Sequence, residues 1–256
     1  MTSKILLSFD IEEFDMPLEY GDNISPREQM EIGKRGFDGL MPLLTEHNIN
    51  CTLFTTANYA LHFPDSIKAA AEKHEIASHT FYHSQFETEH LLQSKNALEI
   101  ITGKPVTGLR MPRMKKVDMA DVADAGYSYD SSINPTWLPG RYNNLSVSRT
   151  AFIDKNILRI PASVSPMRLP LFWLAFKNYP YFLFKYLCKQ TLKKDGYLCL
   201  YFHPWEFTNI EGYKMPPYTK RCCGKRMLHK LDKLICDLKS EGEFITMQTF
   251  ASKIKI

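Results

Sequence analysis

The 256-residue chain is short of several features that would place it quickly. Its six cysteines, Cys51, Cys188, Cys199, Cys222, Cys223 and Cys236, form no C-x-x-C pair. Their irregular spacing excludes a zinc ribbon and a small disulfide scaffold, so reduced thiols are expected. No uninterrupted stretch of about 20 apolar residues exists to span a bilayer. The N-terminal "MTSKILLSFD" has one lysine and an apolar run too short for a signal peptide, with acids following at once, so a cytoplasmic location is expected. There is no dense Lys/Arg stripe: 32 basic and 28 acidic residues leave a net charge of +4, and "KRCCGKR" at 220–226 is too local to point to nucleic acid. Internal repeats, low-complexity tracts and Gly/Ser linkers are also missing. With 44% hydrophobic residues the chain can bury one sizeable core, and a single domain over 1–256 is expected.

What is present alternates. Strand-like segments at 5–9, 51–56, 75–78, 106–111, 127–130, 158–162, 197–203 and 243–248 are separated by helical patterns, as in βα units around a parallel sheet. The clearest helix runs from Lys225 to Lys239, where Leu228, Leu231, Ile235 and Leu238 recur at spacings of three and four. A second runs from Gly36 to Glu46, and Gly126 stops a third over 118–125. Residues 15–32 and 131–157 read as loops. The pattern predicts a distorted (β/α) barrel of about seven strands with its site at the C-terminal strand ends; an open doubly wound sheet is the alternative. The segment "LPLFWLAFKNYPYFLFKYLCK" at 169–189 reads as an aromatic helix packed on the barrel or lining a groove. Its mixture of aromatics and lysines makes a membrane surface or a lipid-linked substrate the alternative contact.

Chemistry-bearing residues cluster at predicted strand ends. In "SFDIEEF" an extended chain points Asp10 and Glu12 to the same side. In "SHTFYH" His79 and His83 stand four apart, so a helical turn would let both hold one metal ion; the glutamate of a metalloprotease H-E-x-x-H is absent. In "LRMPR" Arg110 ends a strand where it could neutralise Asp10. "YSYDSS" places Asp130 at another strand end, and "LCLYFHPWEF" delivers His203, a natural acid or base, with Trp205 as an apolar wall and Glu206 as a structural hydrogen-bond partner. Each feature alone has an ordinary structural explanation. Their common position at strand ends groups them into one site.

In this order, "FDIEEF", "HEIASHTFYH", "TGKPVTGLRMPR", "YSYDSS" and "YFHPWEF" resemble the NodB-homology polysaccharide deacetylases, carbohydrate esterase family 4, in the branch with a D-x-E first motif. The resemblance runs over about residues 4 to 253. It implies a distorted (β/α) barrel in which a divalent metal, most often Zn2+ with Co2+, Ni2+ or Mn2+ as alternatives, activates water to remove an acetyl group. Carried over position by position, Asp10 is the base, Glu12, His79 and His83 bind metal, Arg110 pairs with Asp10, and Asp130 orients the acid, His203. This chain has Ile11 where the family usually has a second aspartate, so the carboxylate ligand falls to Glu12, with Glu13 as the alternative. It has Arg113 where a tyrosine often contributes its backbone N–H to the oxyanion hole, and the aromatic 169–189 segment replaces an expected glycine-rich loop. The substrate implied is an acetylated sugar or glycan. A non-sugar C–N amide such as a cyclic ureide, and an inactive carbohydrate-binding protein on the same scaffold, are the other readings.

Overall fold

In the computed structural model, which describes residues 2–254, the strands appear in chain order as β1 (Lys4–Ile11), β2 (Thr52–Thr55), β3 (Glu75–Ser78), β4 (Gly108–Leu109), β5 (Tyr129–Asp130), a small hairpin of β6 (Trp137–Leu138) and β7 (Tyr142–Asn143), β8 (Phe152–Asp154), β9 (Ile157–Arg159), β10 (Tyr197–Phe202) and β11 (Glu243–Phe244). Nine of them form one curled sheet, eight in the order β10-β1-β2-β3-β4-β5-β9-β8 and β11 pairing β1 off that path. All pairings from β10 to β9 are parallel; only β8 runs antiparallel to its neighbour. The expected distorted barrel is therefore what the chain builds, and the open doubly wound sheet is not. The seam is stitched without a ladder: the Ser163 N–H donates to the Cys199 carbonyl at 2.8 Å, and the Cys199 N–H donates to Ser163 Oγ at 2.8 Å.

Strand periodicity sorts β1 cleanly. Ile5, Leu7, Phe9 and Ile11 face outward into the main core beneath the helices, while Leu6 joins Phe54, Ala77, Tyr129, Tyr197 and Cys199 in a second apolar cluster filling the lower barrel. Helix α10 (Met247–Lys253) adds Met247 and Phe250 to that plug. Above it the interior turns polar, with Ser8, Asp10 and Glu12 following Leu6 on the same face. A two-residue period thus carries the chain from oil to carboxylate within one strand.

The helices in chain order are α1 (Pro26–Glu46), α2 (Ala57–His62), α3 (Pro64–Ala70), α4 (Glu89–Thr102), α5 (Met119–Asp124), α6 (Trp173–Asn178), α7 (Tyr181–Asp195), α8 (Pro217–Lys220) and α9 (Lys225–Lys239), which precede α10. Helix α9 has the bounds its periodicity predicts. The reading of 15–32 as a loop is corrected: Met16–Tyr20 is a 3-10 turn, and α1 begins at Pro26, with Ser25 accepting from the Glu28 N–H as its N-cap. Three glycines in α1 obscured that start. Two of them are there for close approach: a Cβ on Gly33 would lie 2.7 Å from the Glu12 carbonyl, and one on Gly36 only 1.9 Å from that of Pro204. Residues 131–157 likewise hold the β6–β7 hairpin and β8 rather than loop alone. The aromatic 169–189 segment is two helices broken at Pro180, α6 and α7, and among the described residues no helix is long and apolar enough to cross a membrane.

Candidate active site

The end of β1 carries the centre. Glu12 Oε2 lies 3.0 Å from His79 Nε2 and 3.1 Å from His83 Nε2, and the three residues are all buried. The two histidines do not share a helical turn, as their spacing suggested. His79 instead leaves β3 directly into Thr80, whose φ of 63° is left-handed, and the bend stacks the imidazoles with centroids 5.7 Å apart. A β-branched residue there is strained. Four hydrogen bonds hold it: its N–H donates to Ser78 Oγ, its Oγ1 to the Tyr82 carbonyl, and its own carbonyl accepts from the Ala57 N–H and Ser94 Oγ.

The outer nitrogens decide what the inner ones can do. His79 Nδ1 is 2.7 Å from the Arg110 carbonyl, and His83 Nδ1 is 2.7 Å from Asp15 Oδ1. Both partners only accept, so both Nδ1 atoms carry hydrogen. In the neutral rings, the Nε2 lone pairs then converge on a carboxylate oxygen. That arrangement is repulsive until a cation stands among them, and the N, N, O donor set suits a divalent metal with open positions. The three ligand atoms lie within 4.8 Å of one another. Protonation satisfies the same demand: burial pushes His83 down, but Glu12 and Asp15 outweigh it and raise its pKa to about 9. Burial pushes Glu12 up, yet His83, His203 and His79 hold it far below the ordinary carboxylate range.

Asp10 and Glu12 face one cavity of about 290 Å³. Asp10 Oδ1 accepts from Arg110 Nη1 at 2.6 Å, and its Oδ2 lies 3.8 Å from His203 Nε2. Arg110 is fully buried; it also donates to Ser8 Oγ, Ser131 Oγ and the Ser131 carbonyl, and its guanidinium lies 4.1 Å from the centroid of the Phe54 ring. So fixed a guanidinium orients Asp10 and keeps its charge matched in the interior.

Two expected roles change. Asp130 does not orient His203: it accepts from Arg159 Nε at 2.8 Å, from the Ser132 N–H at 3.0 Å and from Ser132 Oγ, and Ser132 Oγ in turn accepts from the Met111 N–H. Its place in the barrel wall puts it behind the 111–114 turn. The partner of His203 is Glu206, whose Oε1 is 3.0 Å from His203 Nδ1 and accepts the His203 backbone N–H at 2.8 Å. Trp205 is no pocket wall either. It stacks against His203 at 4.8 Å and 22°, away from the cavity lining, and its indole N–H donates to Glu12 Oε1 at 3.0 Å. The wall is supplied by Phe172, Trp173, Leu174 and Tyr201, three of them from the aromatic segment.

Arg113 lines the cavity at a left-handed φ of 56°, and among the described residues its backbone N–H has no protein acceptor. Its guanidinium donates to Asp15, Glu19 and the His83 carbonyl. Glu13 is settled in a structural role, accepting from Thr56 Oγ1 and Asn58 Nδ2.

Two contributors were not legible as site residues. Asp15 reads as a loop acid, yet it is buried between His83 and Arg113; burial raises its pKa, and those two neighbours more than reverse the effect. Lys177 reads as an interruption in an aromatic run. It is buried, 3.3 Å from Glu206 Oε2, and donates to the Thr219 carbonyl. A lysine flanked by Trp173 and the aromatic run is the available signal, since a buried cation needs an anion.

Residues 31–129 match the polysaccharide deacetylase family model. That stretch is therefore similar to the polysaccharide deacetylases. These are hydrolases of non-peptide carbon–nitrogen bonds. Residues 131–252 match a domain of unknown function (DUF3473), and the two matched stretches meet at β5 within one sheet. Among solved structures this chain is similar to a protein assigned to the polysaccharide deacetylases from Mycobacterium smegmatis, at 18% identity and TM-score 0.64, over 98% of this chain and 89% of that one. It is similar to another so assigned from Pseudomonas aeruginosa, at 14% identity and TM-score 0.67, over 97% and 89%. The allantoinase PuuE matches at 16% identity and TM-score 0.66, over 97% and 89%. These likenesses show the fold. No curated protein matches the chain.

Proposed function

We infer that this chain removes acetyl groups from an N-acetylated sugar or glycan with Asp10 as base and His203 as acid, as one domain spanning residues 1–256. The observation that carries the reading is the convergence of Glu12, His79 and His83 beside the Asp10–Arg110 pair and His203 at one cavity. A divalent cation, zinc first by its taste for two imidazoles and a carboxylate, would be held by Glu12, His79 and His83 and would supply Lewis acidity toward an acyl carbonyl. Arg110 keeps Asp10 oriented to accept the proton of an attacking water. The ring of His203 faces Asp10 across the site, with Glu206 on its far nitrogen, so it is placed to protonate the leaving amine. Burial disfavours its cationic form, but Glu12, Glu206 and Asp10 together raise its pKa. An amine leaves poorly without that proton. The free N–H of Arg113 is a donor for developing negative charge on the acyl oxygen.

Metal-loaded protein should release acetate from N-acetylhexosamine oligomers or from nucleotide- or lipid-linked N-acetyl sugars. Failure on all of them, with cleavage of other C–N amides, would replace the substrate class. One observation favours that second reading, an amidase of a non-sugar C–N amide: the cavity is small for a glycan groove and walled by Phe172, Trp173, Met111 and Met114. Comparing a monosaccharide, an oligomer and a cyclic ureide decides between them.

A further inference from the structure

A second set of ligand-type side chains lies away from the cavity, where the C-terminus of α1 meets α9. His47, the C-cap residue that follows α1, places Nε2 2.7 Å from Asp232 Oδ1, and Cys236 Sγ is 4.0 Å from that same oxygen. The nitrogen, oxygen and sulfur atoms lie within 4.8 Å of one another. Asp232 and Cys236 are four apart on α9 and so share a face, while His47 comes from a different helix. Bonds of about 2.0 Å to nitrogen or oxygen and about 2.3 Å to sulfur put tetrahedral ligand atoms roughly 3–4 Å apart, which this trio meets with small rotamer adjustments.

We propose that His47, Asp232 and Cys236 form a second metal site, for a thiophilic divalent cation such as zinc, with water completing its shell. Two observations beyond the distances support it. Cys236 is the one exposed thiol among six; Cys51, Cys188, Cys199 and Cys223 are buried and Cys222 is partly covered. The His47 ring is already held against Asp232 with its side chain only 10% exposed, so one ligand pair is preorganised and the thiol alone must swing in. The carbonyl-rich C-terminus of a 21-residue helix also favours positive charge at that end.

The site would have a structural purpose. Helix α1 rests on the Pro204 carbonyl through Gly36, and the Gly224 N–H at the start of α9 donates to the Glu206 carbonyl. Both helices therefore grip the turn after β10, and a cation between them clamps that grip from outside.

The test is a cobalt titration of the metal-free full chain. The Glu12, His79 and His83 set contains no sulfur, so a thiolate-to-cobalt charge-transfer band reports the second site alone. Wild type should bind two equivalents and show the band; Cys236→Ser and His47→Ala should bind one and lack it, with acetate release unchanged. In a second measurement needing no variant, zinc should slow alkylation of Cys236 in the wild type at least tenfold. The proposal is overturned if the band persists in Cys236→Ser, if it disappears in Cys222→Ser instead, if one equivalent binds with no band, or if zinc leaves Cys236 alkylation unchanged.

Discussion

Glu206 holds His203 twice, accepting both its backbone N–H and its ring nitrogen on a single carboxylate oxygen. The other oxygen faces the buried Lys177. Glu206→Gln keeps an acceptor and removes the charge. We expect kcat to fall by about 10-fold or more, and the alkaline limb of the pH–rate profile to move to lower pH, because an imidazolium stripped of its carboxylate gives up its proton sooner. Asp130→Asn should do the opposite of what a His203 partner would: unfolding free energy drops by roughly 2 kcal/mol as the hydrogen-bonded charge pair with Arg159 is lost, while the alkaline limb stays in place. Steady-state pH profiles of the two variants side by side check both.

Asp15 should matter to the metal although it touches no metal-facing atom. Removing its charge leaves the tautomer of His83 unsupported, and second partners of this kind change metal affinity by about 10–100-fold. Competition with a chelator should therefore rank the variants. His79→Ala and His83→Ala should lose the metal of this site and keep only the equivalent held by His47, Asp232 and Cys236, Asp15→Asn should bind at this site more weakly, and Asp10→Asn should bind as wild type while losing ~10²-fold or more in rate.

Two glycines of α1 should respond in opposite directions to the same substitution. Gly36→Ala drives a methyl into the Pro204 carbonyl, and overpacking of that kind costs about 1–3 kcal/mol even after the better helix propensity of alanine. Nothing lies within 4 Å of a Cβ on Gly39, so Gly39→Ala should stabilise by about 0.5–1 kcal/mol. Urea midpoints at constant m separate these outcomes.

His74 predicts an acid sensitivity remote from catalysis. Burial, with a smaller contribution from Lys73, lowers its pKa to about 4. Between the unfolded value near 6.5 and that folded value, the unfolded chain binds the extra proton, so stability falls as pH falls. By pH 5 the loss is about 2 kcal/mol. His74→Gln should remove this component, which shows as a smaller shift of the urea midpoint between pH 7 and pH 5 than in wild type.

Strand order and the positions of Asp10, Glu12, His79, His83, Arg110 and His203 were legible because a period of two and the end of an apolar run are local signals. The partnerships behind them were not. Which carboxylate meets His203 depends on a 3-10 turn, Pro204–Phe207, that folds Glu206 back by three residues; the family resemblance assigns Asp130 to the histidine instead. The His79–His83 spacing indicated a shared ligand function but misread its geometry, since the bend is made by a left-handed Thr80 that propensity argues against. Asp15 and Lys177 owe their burial to segments distant in sequence, Arg113 for one and the 217–220 region for the other. The start of α1 was hidden because glycines needed for close packing look locally like helix breakers.

Lys177 has a consequence for how this enzyme can change. It belongs to the same short helix as Trp173 and Leu174, which shape the cavity, and it neutralises the carboxylate that steadies His203. If His203 is the acid as proposed, choice of substrate and proton delivery are mounted on one lever. Remodelling α6 to admit a bulkier ligand displaces the counter-ion of the acid's anchor, so altered selectivity and altered turnover should arise together, and restoring one should require compensating for the other.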